Sequence, residues 1–333
     1  MIINLPTYED FENAGHECLI QAYKNICQID DEELRRRSDR EEIWTYHKIV
    51  LKTSIILTYQ GLELLLKAHI AKESPLLLIE QKRAEWKTLP DSKNVDFSGL
   101  FTISGDDLIR TFYATINPNG YDKDLIIHFE ELRVLRNRLV HSVGNTKLTP
   151  DNTLKLILRT FTLLSGKDSF WYALNDKYFD HPASMDDEEE PKYVFDELNK
   201  FSHLEYLEYF LGKGELNKHF HHNFKSRRYF CPDCTGEGGA SVSHDGKVSL
   251  YPSFRYSFLN PNTPDSTEIE CIVCGGTFDV ERINCNKYGC KGNVIYTFED
   301  DEDEEDFEED TEKRSTQQQL QKLKICLTCN EEQ

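Results

Sequence analysis

Eight of the ten cysteines in this 333-residue chain follow residue 230, and they come in four pairs. These are Cys231-Pro-Asp-Cys234, Cys271-Ile-Val-Cys274, Cys285-x4-Cys290 and Cys326-Leu-Thr-Cys329. Two cysteines separated by two residues present two thiolates from one tight turn. A second pair completes the four soft ligands that a tetrahedral Zn2+ takes. Gly275-Gly276, directly after a pair, is the turn chemistry such a knuckle needs. Four pairs make two closed four-thiolate shells with no position left for water. Both Zn2+ sites are therefore expected to be structural, with no metal used for catalysis. Sequential sharing groups Cys231, Cys234, Cys271 and Cys274 on one ion and Cys285, Cys290, Cys326 and Cys329 on the other, each half resembling a zinc ribbon. Interleaved sharing, with the first and third pairs on one ion, is the alternative.

A second set of reactive side chains lies on a predicted helix ending Arg136-Asn137-Arg138-Leu139-Val140-His141. At about 3.6 residues per turn, Leu125, Phe129, Leu132, Leu135 and Leu139 share one apolar stripe. Asn137 and His141, four apart, stack on the opposite face beside Arg133 and Glu130. Arg136 starts nearer the apolar stripe, and its long side chain must reach round. Imidazole, amide and guanidinium together suit phosphodiester cleavage without a metal. Histidine takes or gives a proton near neutral pH, and arginine offsets charge developing on phosphoryl oxygens. RNA carries its own nucleophile in the 2′-hydroxyl. One histidine cannot both remove that proton and protonate the leaving oxygen at once, whereas two copies in a dimer can. The blander reading makes His141 a favourable residue at a helix C-terminus.

Arg136-Asn137-x3-His141 resembles the R-N-x3-H signature of HEPN (higher eukaryotes and prokaryotes nucleotide-binding) domains. Tyr59-Gln-Gly-Leu-Glu63-Leu-Leu-Leu-Lys67 is similar to the early helix of such domains, which bears G-x-E-L-x-L-K. The resemblance spans roughly residues 40–165. It implies an up-and-down four-helix bundle that forms a homodimer through its motif helices. It also implies a metal-independent endoribonuclease cleft in which Arg136 and His141 are catalytic and Asn137 orients them. A helical domain of this type followed by cysteine-pair ribbons looks like a bacterial family suspected in toxin or antiviral defence roles, which implies RNA as substrate and an antitoxin or defence partner. Some HEPN domains only bind or dimerise, so a scaffold module is the other reading. Glu63 and Lys67, four apart, are expected to form a structural ion pair.

Positioning these residues requires a mainly α chain with a small β-rich C-terminal domain. Apolar residues recur at helical spacing through residues 1–211. Helices are expected over 8–28, from a capping start at Ser38-Asp39-Arg40-Glu41 to about Glu73, from a Ser104 cap to about 117, over 122–143, from Pro150 to Leu164, and over 193–211. Residues 86–103 read as a loop or short hairpin. Beyond about residue 223 come paired cysteines, glycine turns and short β-like runs at Val248–Tyr251 and Asn293–Phe298. The expected domains are a helical 1–180, an acidic loop and linker helix over 181–222, and a double ribbon over 223–333.

The net charge is −20, yet residues 299–310 hold eleven acids and one phenylalanine, and without them the charge is −9. Asp186–Glu190 is a second acidic block. Such runs are solvated loops and say little about folded surfaces. Against that background, residues 218–230 interleave cations with aromatics, the composition of a single-strand nucleic-acid contact. Arg133, Lys225, Arg227 and Arg228 are the candidate nucleic-acid contacts. A linker whose rings pack on the first ribbon fits the same composition. Cys18 and Cys27 read as core thiols. The first residues lack the basic and apolar regions of a signal peptide. The most apolar run, Ser54–Ile70, is interrupted by Gln60, Glu63, Lys67 and His69. A cytoplasmic protein without membrane association is expected.

Overall fold

The computed structural model describes residues 1–29, 40–82, 94–116, 123–141, 147–179, 192–237, 240–242, 248–250, 255–298 and 323–333. Both acidic runs, the Ser38-Asp39 start and the turns at 117–120 and 144–145 lie outside these residues. The chain divides into two compact units. One is Met1–Glu188 with Lys218–His221, and the other is Glu189–Asn217 with His222–Gln333. The described residues are mainly helical, with small sheets towards the C-terminus.

The first unit contains α1 (Tyr8–Ile29), α2 (Arg40–Tyr46), α3 (Lys48–Glu73), α4 (Gly105–Thr115), α5 (Lys123–His141), α6 (Pro150–Leu164) and α7 (Ser169–Leu174). The long helix expected to end at Glu73 is interrupted. His47 leaves helical geometry at φ −87° and ψ 20°, splitting α2 from α3, although no glycine or proline marks the spot. Pro75 ends α3 as expected, opening a 3-10 turn over Pro75–Leu78. Antiparallel pairing of Ile79 with Thr102 closes the following loop, with Glu80 N donating to Phe101 O at 2.9 Å, and residues 83–93 lie outside the described residues. Val95–Asp96 (β2) pairs in parallel with Ile2–Ile3 (β1).

Helix α3 is the spine, packed against α1, α4, α5 and α6. By length and composition it is apolar enough to cross a membrane, which corrects the sequence reading, yet about half of that span is buried inside the protein. Its close contact with α1 depends on two glycines. A Cβ on Gly61 would lie 2.7 Å from Leu19 Cγ and 3.0 Å from the Gly15 carbonyl, and a Cβ on Gly15 would lie 2.9 Å from Leu65. The glycine of the Tyr59–Lys67 segment thus lets two helix backbones meet.

Helix α6 is braced by histidines. His69 Nε2 donates to Leu164 O at 2.9 Å, and His16 bonds Ser165 Oγ at 3.1 Å. His128 Nε2 meets Thr160 Oγ1 at 2.8 Å. Thr160 already donates to Leu156 O, so the imidazole must be the donor. Burial pushes the His128 pKa down to about 3, which keeps the ring neutral. These rings are core residues. Cys27 is buried as expected, and Cys18 is half-buried.

The second unit begins with α8 (Lys192–Leu211) and α9 (Lys213–His219). Helix α8 buries Phe201, Leu204 and Leu207, with Phe201 packed 6.0 Å from the Tyr256 ring. After α10 (Pro232–Glu237) and the pair β3 (Ala240–Val242) and β4 (Val248–Leu250), two three-stranded antiparallel sheets follow. One has the order β5 (Ser257–Leu259), β6 (Glu268–Cys271), β7 (Thr277–Asp279). The other runs β10 (Glu331–Glu332), β9 (Lys324–Cys326), β8 (Ile295–Thr297). They are joined by Glu281 and Ile295, whose backbones exchange hydrogen bonds of 2.8 and 2.9 Å. Tyr229, Leu259, Ile269, Val280, Val294 and Leu327 form one buried cluster across both.

The helix crossing gives a stability test. Gly61→Val should cost about 1–3 kcal/mol by overpacking. Gly99→Val, where a Cβ meets nothing within 4 Å, should leave the calorimetric melting temperature nearly unchanged. Equal effects at the two positions would contradict the close crossing.

Candidate metal centres and a basic helix face

Each sheet of the second unit places one cysteine pair in a hairpin turn. β6 delivers Cys271 and turns through Cys274 into β7, while β9 delivers Cys326 and turns through Cys329 towards β10. Gly275 N returns to Cys271 O at 2.8 Å, and Asn330 N to Cys326 O at 2.7 Å. Both Gly275 and Asn330 adopt positive φ, 74° and 56°, as tight knuckle turns demand. The partner pairs arrive from outside the hairpins. Cys231 and Cys234 bracket the start of α10, and Cys285 and Cys290 sit in the loop before β8.

The sulfurs converge into two groups, Cys231, Cys234, Cys271 and Cys274, and Cys285, Cys290, Cys326 and Cys329, each with all sulfurs within 4.8 Å of one another. The sharing is therefore sequential. Cys231 and Cys274 sulfurs lie 3.6 Å apart, Cys234 and Cys271 3.9 Å, Cys285 and Cys329 3.7 Å, and Cys290 and Cys326 4.0 Å. A tetrahedral shell with metal–sulfur bonds of about 2.3 Å has edges of about 3.8 Å. Backbone amides point at the sulfurs: Gly276 N to Cys274 at 3.3 Å, Lys287 N to Cys285 at 3.4 Å, and Gly292 N to Cys290 at 3.3 Å. Such bonds favour thiolate over thiol. A Cβ on Gly292 would come within 2.7 Å of Cys326 Sγ, so the second shell closes only over a glycine. Both groups can hold a metal ion, and four protein ligands leave it no open position.

The basic segment before the first pair is arranged differently from a base-stacking platform. Phe220, Phe224, Tyr229 and Phe230 are all buried. Arg228 bonds Glu208 Oε2 at 2.6 Å and lies 4.7 Å from the Tyr256 ring centroid, so its charge is neutralised. Of the cations expected to contact nucleic acid there, Lys225 and Arg227 stay exposed. His221 pairs with Asp168, and His222 lies 3.5 Å from Glu270. Neither joins a metal cluster among the described residues.

On α5, Leu125, Phe129 and Leu132 are buried and Leu135 and Leu139 partly so, while Asn137 and His141 are exposed. His141 is the last described residue of α5. The helix's cations differ in how they are compensated. Arg133 reaches Glu130 at 2.8 Å and Asp106 at 3.3 Å. Arg159 of α6 lies 3.7 Å from Glu131 and 4.0 Å from Asp124. Arg136 meets no carboxylate among the described residues. Its guanidinium lies 5.7 Å from the Tyr59 ring centroid and donates to Asn137 Oδ1 at 2.9 Å. Side chain and neighbour thus reach round the helix as the spacing requires.

The support of Arg136 was not legible in the sequence. Tyr59 donates its hydroxyl to Glu63 Oε1 at 3.0 Å. Burial first, and then the Glu63 charge, hold the Tyr59 pKa well above its ordinary value, so the ring stays a neutral phenol. Glu63 also accepts from Gly105 N at 3.4 Å, serving the α4 start that Ser104 makes no side-chain bond to cap. The expected Glu63–Lys67 ion pair is replaced, because Lys67 Nζ turns to Thr102 Oγ1 at 3.0 Å. Residues four apart can pair, but here the loop after α3 and the N-terminus of α4 offer nearer partners.

Compared with protein-family models, with curated proteins and with solved structures, the chain finds no match.

Metal removal and the aromatic seat are each open to measurement. Chain purified under reducing conditions should carry two metal ions, and Cys271→Ser one. Stripping with a chelator should unfold the second unit, since a four-thiolate site contributes on the order of 10 kcal/mol to folding. Elemental analysis and circular dichroism read both, and metal-free chain with an unchanged melt would refute the sites. For the seat, the Arg136 Nε–H resonance should carry a ring-current shift that Tyr59→Phe keeps and Tyr59→Leu removes. An identical resonance in both variants would show that the ring does not hold the guanidinium.

Proposed function

We propose that the chain is a metal-independent endoribonuclease of the HEPN type that acts as a dimer, with two structural Zn2+ ions holding a C-terminal unit that contacts substrate or partner. The observation that carries this reading is the state of Arg136. It is a guanidinium on the same helix end as an exposed histidine, seated by an aromatic ring and an amide and opposed by no carboxylate among the described residues. Arg133, equally basic by sequence, is neutralised twice and has no role in this reading beyond packing.

The chemistry follows from these groups. The 2′-hydroxyl oxygen of RNA attacks the adjacent phosphorus, forming the 2′-O–P bond as the P–O5′ bond breaks. One His141 takes the hydroxyl proton, and the second copy's His141 returns a proton to the departing oxygen. Arg136 offsets the charge gathering on the non-bridging oxygens, and Asn137 holds the guanidinium in place. The products are a 2′,3′-cyclic phosphate and a free 5′-hydroxyl. Dimerisation through α5 is supported by apolar residues on its exposed side: Ile126, Ile127, Val134 and Val140 are each more than two-fifths exposed, more apolar surface than a solvated helix face needs. Zinc is the ion favoured by thiolate-only tetrahedral shells. The likeness of the motifs to HEPN toxins and defence effectors supports a role in that setting, with an antitoxin as partner.

The position of His141 at the helix terminus also supports a scaffold reading, in which the imidazole only complements the helix dipole and the zinc-bound unit recruits a partner. Incubating the purified dimer with RNA in EDTA at neutral pH separates the two. Cleavage should occur, leave cyclic phosphate ends, and fall roughly 10²–10⁴-fold in His141→Ala. Arg136→Ala should lose a similar amount by removing charge stabilisation. Undiminished cleavage by His141→Ala, or none by the parent chain, would favour the scaffold.

A further inference from the structure

The four cysteine pairs do not treat their intervening residues alike. Between Cys271 and Cys274, Ile272 and Val273 are buried, and between Cys326 and Cys329, Leu327 is buried. Pro232 is buried between Cys231 and Cys234. The Cys285–Cys290 loop is two residues longer, and Asn286, Lys287, Tyr288 and Gly289 are all exposed. Tyr288 is the most exposed large hydrophobic side chain among the described residues, with its ring wholly in solvent. Ligation needs none of this extra length.

The loop is nonetheless fixed. Cys285 N donates to Gly292 O at 2.9 Å and Cys290 N to Lys287 O at 3.1 Å, while the Lys287 and Gly292 amides bond the ligand sulfurs. Gly289, at φ +82°, makes the turn beside the tyrosine. The surrounding charge is also one-sided. Residues 282–293 hold three cations and no acid, in a chain with 59 acids. Arg227 joins them, with both terminal nitrogens on Lys291 O at 3.1 Å and its guanidinium 5.8 Å from the Tyr229 ring centroid. Lys287 is paired with Glu331. Arg227 and Lys291 have no carboxylate partner among the described residues.

We propose that this metal-anchored loop is a contact for single-stranded nucleic acid: a base stacks on Tyr288 while Arg227 and Lys291 bind the flanking phosphates. The proposal rests on the RNA reading above and gives the C-terminal unit its part in it. Stacking on a ring is sequence-tolerant, because every base has a π-face. Presenting the ring on a turn already fixed at both ends lowers the ordering cost of binding. The contact lies with Tyr288, rather than with the aromatics of residues 218–230, whose buried rings support the fold.

The test uses the full chain and two fluorescein-labelled probes, a 12-nucleotide oligouridylate and the matching oligothymidylate, which lacks the 2′-hydroxyl that cleavage requires. Fluorescence anisotropy should show binding of oligothymidylate, weakened roughly 5- to 100-fold by Tyr288→Ala. Arg227→Gln with Lys291→Gln should reduce the slope of log affinity against log salt by about 1 to 2. Unchanged metal content and circular dichroism in these variants exclude misfolding. Absence of oligonucleotide binding by metal-loaded chain, or binding indifferent to both variants, overturns the proposal and leaves the loop to a protein partner. Cleavage of oligouridylate is scored separately. Cleavage with loop-independent binding sinks the loop contact alone, and loop-dependent binding without cleavage sinks the nuclease reading alone.

Discussion

Unbalanced charge is the constraint from which most of this architecture follows. Four thiolates within 4.8 Å of one another repel by amounts that packing cannot offset, because close like charges in a partly buried site disfavour joint ionisation. A cation held among them would offset that repulsion and let all four ionise. With the cations in place, strands of two to four residues suffice to build sheets that would be marginal alone. The apolar cluster shared by the two sheets is small, six buried side chains with Phe278 and Tyr296 at its margin. That cluster and the Glu281–Ile295 backbone bonds align the two centres, and metal held in the two shells would add folding energy on the order of 10 kcal/mol each.

The same criterion sorts the arginines. Arg133, Arg159 and Arg228 each have a carboxylate within 4 Å. Arg136 and Arg227 instead lie against aromatic rings and donate to neutral oxygens. A ring and a carbonyl fix a guanidinium's plane without cancelling its charge. The chain carries 59 acids against 39 basic residues, so an arginine in that condition is informative. Among the described residues neither meets a carboxylate, and phosphate matches the planar fork.

What could be read from the sequence was set by how local the controlling physics is. The cysteine pairs were legible because a two-thiolate turn is a local object, and each shell joins one hairpin pair to the pair next before it in sequence. Helix positions from α4 to α6 followed from Pro150, first-turn acids and apolar spacing, although Ser104 makes no side-chain cap. The break at His47 was not readable, since no residue there forbids a helix. Nor was the fate of 218–230 readable. Cations interleaved with aromatics describe a base-stacking surface and a buried seam equally well, and Phe224 lying 5.6 Å from Phe258 is decided by tertiary packing. The Glu63–Lys67 pair failed for a related reason. Spacing four apart permits a contact worth only about 0.5 kcal/mol, which Thr102 and the Gly105 amide readily replace.

The seat of Arg136 joins these strands. Gly61 lets α1 and α3 approach through a contact that admits no side chain. That approach fixes the rotation of α3, and so the direction in which Tyr59 and Glu63, two residues to either side, project. Tyr59 then meets Phe129 of α5 at 6.1 Å and Arg136, about two turns further, at 5.7 Å. Glu63 keeps its carboxylate on the tyrosine hydroxyl and the Gly105 amide, not on the guanidinium, which meets no carboxylate among the described residues. The glycine and the acid of one short segment therefore act on the same side chain from opposite ends, one by admitting a neighbouring helix and the other by polarising a ring. Neither touches the exposed imidazole four residues beyond Asn137, whose surroundings are set by the end of α5.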